Sequence, residues 1–140
     1  MVSIYTIFEN SITQLLSYAQ GKEQKGLSIK DINDCSLTAK FNKYMKHVLE
    51  FDFQIPEHSI KDISTLSKVR NCIAHANGNL PAMSKEKIDE LKTLERSGVG
   101  IELTSMHIDV SYDFLNKCMA AVEKIVRELM DYLEARYGFN

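Results

Sequence analysis

Apolar residues return at every third or fourth position through one stretch of this chain after another, and that period commits it to helices. Between Ser3 and Gln20 they fall at Ile4, Ile7, Phe8, Ile12, Leu15, Leu16 and Ala19, the stripe of a half-buried helix that Gly21 closes. Residues 21–34, with two glycines and mixed charge, read as a loop or short turn. A second helix is expected from Ser36 to Glu50, with Leu37, Phe41, Tyr44, Met45, Val48 and Leu49 facing inward. Residues 51–56 break the pattern, because Pro56 forces Ile55 out of helical geometry. A third helix follows from Glu57 to Asn77 on Ile60, Ile63, Leu66, Val69 and Ile73, with Gly78 where a left-handed C-cap belongs. Pro81 and a Ser84 N-cap introduce a charged helix from Lys85 to Arg96. Val99, Ile101 and Leu103 then alternate beside Gly98 and Gly100, as a short β-ribbon does. Asp109 or Ser111 caps a last long helix to Tyr137, striped by Phe114, Cys118, Ala121, Val122, Ile125, Leu129 and Leu133 and ended by Gly138. Only six glycines and two prolines occur in 140 residues, which argues against a sandwich or barrel of many short strands. The expected fold is all-α: one domain over residues 1–140, a compact bundle of four to five helices with a short β-hairpin before the last.

Most function classes fall away on composition and spacing. No stretch approaches the roughly 18 uncharged apolar residues of a membrane span, and the first twenty residues lack a basic leader. Cys35, Cys72 and Cys118 are an odd count without C-x-x-C spacing, so a reducing, cytoplasmic setting is expected and a disulfide framework is not. A net charge of −2 removes indiscriminate phosphate binding but leaves room for a local basic groove. Lys40, Lys43 and Lys46, spaced by three, form either a solvated face or a weak RNA contact. His47, His58, His75 and His107 never stand at the i, i+4 spacing of a helical zinc pair, and neither a glycine-rich phosphate loop nor a G-x-S-x-G elbow is present. Neither a metal nor a cofactor is therefore expected. Glu123, Glu128, Asp131 and Glu134 are interleaved with Lys124, Arg127 and Arg136, the pattern of ordinary surface pairing.

One segment resists a purely structural reading: Val69-Arg70-Asn71-Cys72-Ile73-Ala74-His75-Ala76-Asn77-Gly78. At roughly 100° per residue, Arg70 projects within about 60° of Ile63, Leu66, Ile73 and Ala74, among residues that should face the core. A guanidinium cannot shed its proton, so burying it alone is very costly. It needs a carboxylate partner, a wet crevice or a phosphate. Asn71 and His75 stand one turn apart on the flank beside it. A structural Arg–carboxylate pair with a capping histidine would also account for the trio. Cys72, on the side opposite Arg70, is expected to be a small packing residue.

The run R-N-C-I-A-H near a helix end, followed by a glycine, resembles the signature of the HEPN (higher eukaryotes and prokaryotes nucleotide-binding) superfamily. That signature is an Arg, four to six residues, then a His, often with a polar residue directly after the Arg. Arg70, Asn71 and His75 fill the three places. The resemblance covers most of the chain as architecture and about ten residues as sequence. It implies a helical bundle that forms a homodimer, with the motif helices of both protomers meeting at one cleft. Active members are metal-independent endoribonucleases of toxin or phage-defence (abortive-infection) systems, in which the Arg and His are essential. Others are non-catalytic dimerisation or nucleotide/RNA-binding modules, and that is the alternative here. An antitoxin or a larger defence complex is a further implied partner. In one subfamily a tyrosine two residues after the His is adenylylated by the antitoxin; here Asn77 stands in that place, which puts that route in doubt.

The residue types suit metal-free RNA cleavage, in which the substrate's own 2′-hydroxyl is the nucleophile. A histidine moves protons near neutral pH. An arginine holds the scissile phosphate and stabilises the charge of its pentavalent transition state. Asn71 either orients His75 or touches phosphate through its amide. One histidine per chain supplies one proton-transfer group where in-line attack favours two, a physical reason for a site shared across a two-fold axis.

Overall fold

The computed structural model describes residues 2–76 and 79–138. It is 71% helical, with five helices and a short antiparallel hairpin before the last, a mostly-α bundle. The helices are α1 (Val2–Glu23), α2 (Leu37–His47), α3 (Glu57–Ala76), α4 (Lys85–Arg96) and α5 (Tyr112–Tyr137); the strands β1 (Ile101–Leu103) and β2 (Ile108–Val110) lie between α4 and α5. One-turn 3₁₀ helices occur at Ile29–Asp31 and Leu80–Ala82. Among the described residues no helix is long and apolar enough to cross a membrane.

Three serines start three of the helices. Ser36, Ser84 and Ser111 sit in extended backbone, and their hydroxyls accept from the amides of Ala39, Lys87 and Phe114, satisfying donors that a helix start leaves free. Helices α1, α3 and α5 pack against one another, α2 leans on α1, and α4 bridges α3 and β1. Phe8, Ile12 and Leu16 from α1, Leu66 and Val69 from α3, and Ile125, Leu129 and Leu133 from α5 are fully enclosed at the centre. Phe41, Tyr44 and Met45 of α2 close one side, with the rings of Phe8 and Phe41 edge to face at 5.9 Å. Ile7, counted in the α1 stripe from sequence, is instead 48% exposed at its edge.

Helix α1 also runs past Gly21 to Glu23, further than its glycine suggests. A helical glycine costs about 1 kcal/mol relative to alanine, which tertiary contacts readily offset. Here Glu23 accepts from Arg136 Nε at 2.6 Å and from the Tyr137 hydroxyl at 2.8 Å, tying the ends of α1 and α5 together. The Arg136 and Tyr137 bonds hold the Glu23 carboxyl below its ordinary value of 4.5, while burial and the same carboxylate push Tyr137 up to about 12. Between the unfolded and folded values of Glu23 the unfolded chain binds more protons. The bridge therefore contributes its full stability above about pH 4.5 and loses it as pH falls through the lowered folded value. Thermal melts between pH 7 and 3 should show Tm falling less steeply for Glu23→Gln than for wild type. Parallel slopes would exclude this contribution.

The hairpin pairs Ile101 with Val110 and Leu103 with Ile108. Its tip is organised by Thr104, whose hydroxyl oxygen accepts from the amides of Met106 and His107. Val99 lies outside the ladder, so the strand is shorter than the alternation suggests. The tip also reaches the chain leaving α3: Asn79 bridges to His107, and the Leu80 amide donates to the Met106 carbonyl at 2.9 Å. The hairpin thereby anchors the segment that follows the R-N-x-x-x-H helix.

Candidate active site

Helix α3 begins just after Pro56, with Asn42 holding Ile55 in place: its side-chain oxygen accepts from the Ile55 amide at 2.8 Å and its NH₂ donates to the Ile55 carbonyl at 3.3 Å. Ile63, Leu66 and Val69 are buried as the period requires. Toward the end of the helix, the covered side rotates away from that stripe. Cys72 is buried and its Sγ lies 3.1 Å from Met83 Sδ, whereas Ile73 is half-buried and Ala74 exposed. The segment after Leu80–Ala82 folds Met83 back onto this flank, and burial raises the Cys72 thiol above its ordinary value. Cys72 is therefore a packing residue, as its place in the sequence suggests. Arg70 ends at the edge of the core, half-buried.

Among the described residues two neighbours hold its guanidinium, and neither is anionic. The Tyr5 ring of α1 lies beneath it, 5.0 Å from centroid to Cζ, and Nη1 donates to the Asn71 side-chain oxygen at 3.0 Å. Nε is enclosed and finds no acceptor among the described residues. The ion pairs among the described residues are His107–Asp109, Lys117–Asp62 and Arg136–Glu23, and Arg70 belongs to none of them. The structural Arg–carboxylate pair left open by the sequence is thus not found there. A ring face and an amide oxygen orient a cation without neutralising it. Asn71 uses its oxygen on Arg70, so what it can offer a ligand is its NH₂, a donor.

His75 stands in the last turn of α3, so its backbone is one turn beyond Asn71. The side chains of His75 and Ala76, together with Asn77 and Gly78, lie outside the described residues, and with them the expected glycine C-cap and the departure at Asn77. His107 and His47 are surface residues; His107 pairs with Asp109 at 3.1 Å.

The lysine row of α2 is not brought to this place. Lys43 and Lys46 are exposed, Lys43 donates to the Asn33 carbonyl at 3.3 Å, and Lys40 is half-buried. None of the three lines the recesses along α3. Lys68 lines three of them: a cavity of about 350 Å³ between α1, α2 and α3, an open groove of about 790 Å³ toward Leu94, and a cleft of about 60 Å³ shared with Asn71 and Lys87. Tyr5 and Lys68 are the residues that sequence reasoning missed. Lys68 carries a faint local signal, a cation two positions before Arg70; Tyr5 carries none, since it meets Arg70 only through the packing of α1 on α3. Among the described residues no group of three or more His, Cys, Asp or Glu converges as a metal site. No family model, curated protein or solved structure matches the chain.

Proposed function

We propose that this protein is a metal-independent endoribonuclease of the HEPN type, an effector of toxin or phage-defence character. The observation that carries the reading is the state of Arg70: a permanent cation, half-buried, oriented by Tyr5 and Asn71 and paired with no carboxylate among the described residues. A guanidinium held this way suits a transient anion, and a phosphodiester presents the two oxygens its fork is shaped to bind.

In this reading Arg70 grips the scissile phosphate and the Asn71 NH₂ adds a donor beside it. His75 takes the proton from the 2′-hydroxyl as its oxygen bonds to phosphorus. The bond from phosphorus to the 5′-oxygen breaks, and a second proton donor, His75 of the partner subunit, protonates the leaving oxygen. The products are a 2′,3′-cyclic phosphate and a 5′-hydroxyl, with protons balanced across the two histidines. Only single-stranded or looped RNA can reach the in-line geometry.

The test is degradation of RNA in EDTA by wild type, Arg70→Ala and His75→Ala. Folded wild-type protein that leaves every RNA intact overturns the proposal. Sedimentation should also find a dimer at micromolar concentration, and a monomer there would remove the shared site.

A further inference from the structure

The 350 Å³ cavity is lined in part by Tyr5, whose ring also carries Arg70, and neither the motif nor the proposed chemistry uses it. It is large enough for roughly ten water molecules and falls at the lower end of the range of small-molecule sites, about 300–1,000 Å³. Its lining is mixed in a particular way. Ile63 contributes an apolar wall; Thr38, Ser64 and Ser67 contribute hydroxyls; Lys68 contributes a cation; Tyr5 contributes an aromatic side chain. Hydroxyls both donate and accept, so they can meet the mixed donor–acceptor edge of a nucleobase, while an apolar and aromatic wall suits its faces.

Two residues connect this cavity to the rest of the site. Tyr5 supports the Arg70 guanidinium and also forms part of the cavity lining, so a phosphate on Arg70 and a group in the cavity would have one aromatic side chain as a common neighbour. Lys68 lines both the cavity and the cleft that contains Asn71, placing a cation between them.

We propose that this cavity is a base-binding subsite: it takes the base of an RNA nucleotide next to the phosphate held by Arg70, and so sets which nucleotide is cut. The proposal rests on the ribonuclease reading for its phosphate but not for its pocket, which permits a separate test. A base enters such a pocket only when unstacked, which restricts the ligand to single strands.

The experiment measures binding of 2′-O-methyl homotetranucleotides of A, C, G and U, which have no free 2′-hydroxyl and stay intact, to the full chain. The four 5′-mononucleotides are run alongside. Wild type is compared with Ser64→Phe, which fills the cavity from an exposed position, with Ser64→Ala, which removes only the hydroxyl, and with Arg70→Ala. Wild type should prefer one tetranucleotide at least tenfold. Ser64→Phe should abolish that preference with an unchanged far-UV spectrum and melt, and Ser64→Ala should alter it. If Ser64→Phe misfolds, the Ser64→Ala result decides. Arg70→Ala should weaken all four tetranucleotides alike. An unchanged preference in the folded Ser64 variants overturns the subsite, as does the absence of any tetranucleotide binding. Mononucleotides that bind as tightly as tetranucleotides, regardless of Arg70→Ala, also overturn it and assign the cavity to a free nucleotide. A cavity that discriminates bases in a protein that never cleaves RNA would sustain the subsite and reject the nuclease. Cleavage whose base preference ignores Ser64 would do the reverse.

Discussion

Arg70→Ala should lower RNA cleavage by at least a thousandfold and cost the fold no more than about 2 kcal/mol. The first figure follows from the role proposed for the guanidinium. Removing one preorganised donor from a developing anionic charge costs on the order of 10²–10³ in rate, and an arginine that clamps a transferring phosphoryl group on the order of 10³–10⁵. The second follows from its surroundings. Truncation loses a hydrogen bond to a neutral oxygen and a cation–π contact, each worth about 1 kcal/mol, and relieves an enclosed Nε that has no acceptor among the described residues. Breaking a buried ion pair would instead cost about 3–5 kcal/mol, because the abandoned carboxylate remains. Cleavage rates in EDTA and thermal melts on the same samples read both numbers. A folded variant that still cuts at the wild-type rate removes Arg70 from the chemistry, and a loss of 3 kcal/mol or more makes it a structural cation. His75→Ala should lose about 10²–10⁴ in rate as a proton-transfer group.

Gly100→Ala should be the most damaging glycine-to-alanine change among the described residues, destabilising by about 2–4 kcal/mol. Gly100 has φ +104°, a region that L side chains rarely adopt, and a Cβ there would stand 2.6 Å from Ser111 Oγ and 3.0 Å from Phe114 Cβ. The strained backbone alone costs about 1–3 kcal/mol. Displacing the Ser111 hydroxyl also breaks its bond to the Phe114 amide, the N-cap of α5, worth about 1 kcal/mol. The Gly100 carbonyl accepts from the Ser111 amide, so the same shift loosens the end of the hairpin. Gly98→Ala, with φ +77° and nothing within 4 Å of the added carbon, isolates the backbone part and should cost less. Urea or thermal unfolding of both variants measures the difference, and equal losses would exclude the clash with the cap.

The helices were legible because their causes are local. A 3.6-residue apolar period, a serine at the start and a proline before a break act over one or two turns, so α2 and α4 begin at Ser36 and Ser84 as their spacing suggests, and α5 begins at Ser111, one of its two candidate caps, Asp109 being in β2. The end of α1 was less legible. Gly21 is a local stop, but the partners that outweigh it, Arg136 and Tyr137, lie at the other end of the chain. The R-N-x-x-x-H run singled out Arg70, Asn71 and His75, but gave Asn71 to His75 or to phosphate, whereas its side-chain oxygen accepts from Arg70. Nothing near them in sequence pointed to Tyr5 or to the cavity that it lines.

By itself, the sequence determined a bundle of four to five helices in this order, a hairpin before the last, and a cation where an apolar residue would be expected. Period, caps and breaks are properties of neighbouring residues, so these need no knowledge of the packing. Tertiary structure decided which flank of α3 is covered. Met83 folds onto Cys72, which leaves Arg70 at the core's edge over Tyr5 rather than inside it. The packing of α1, α2 and α3 decided that a cavity opens against Tyr5, the residue that carries that cation, while the lysines of α2 do not line it. A helix pattern specifies how far a side chain is rotated about its own axis, but what meets it there is set by chain segments distant in sequence.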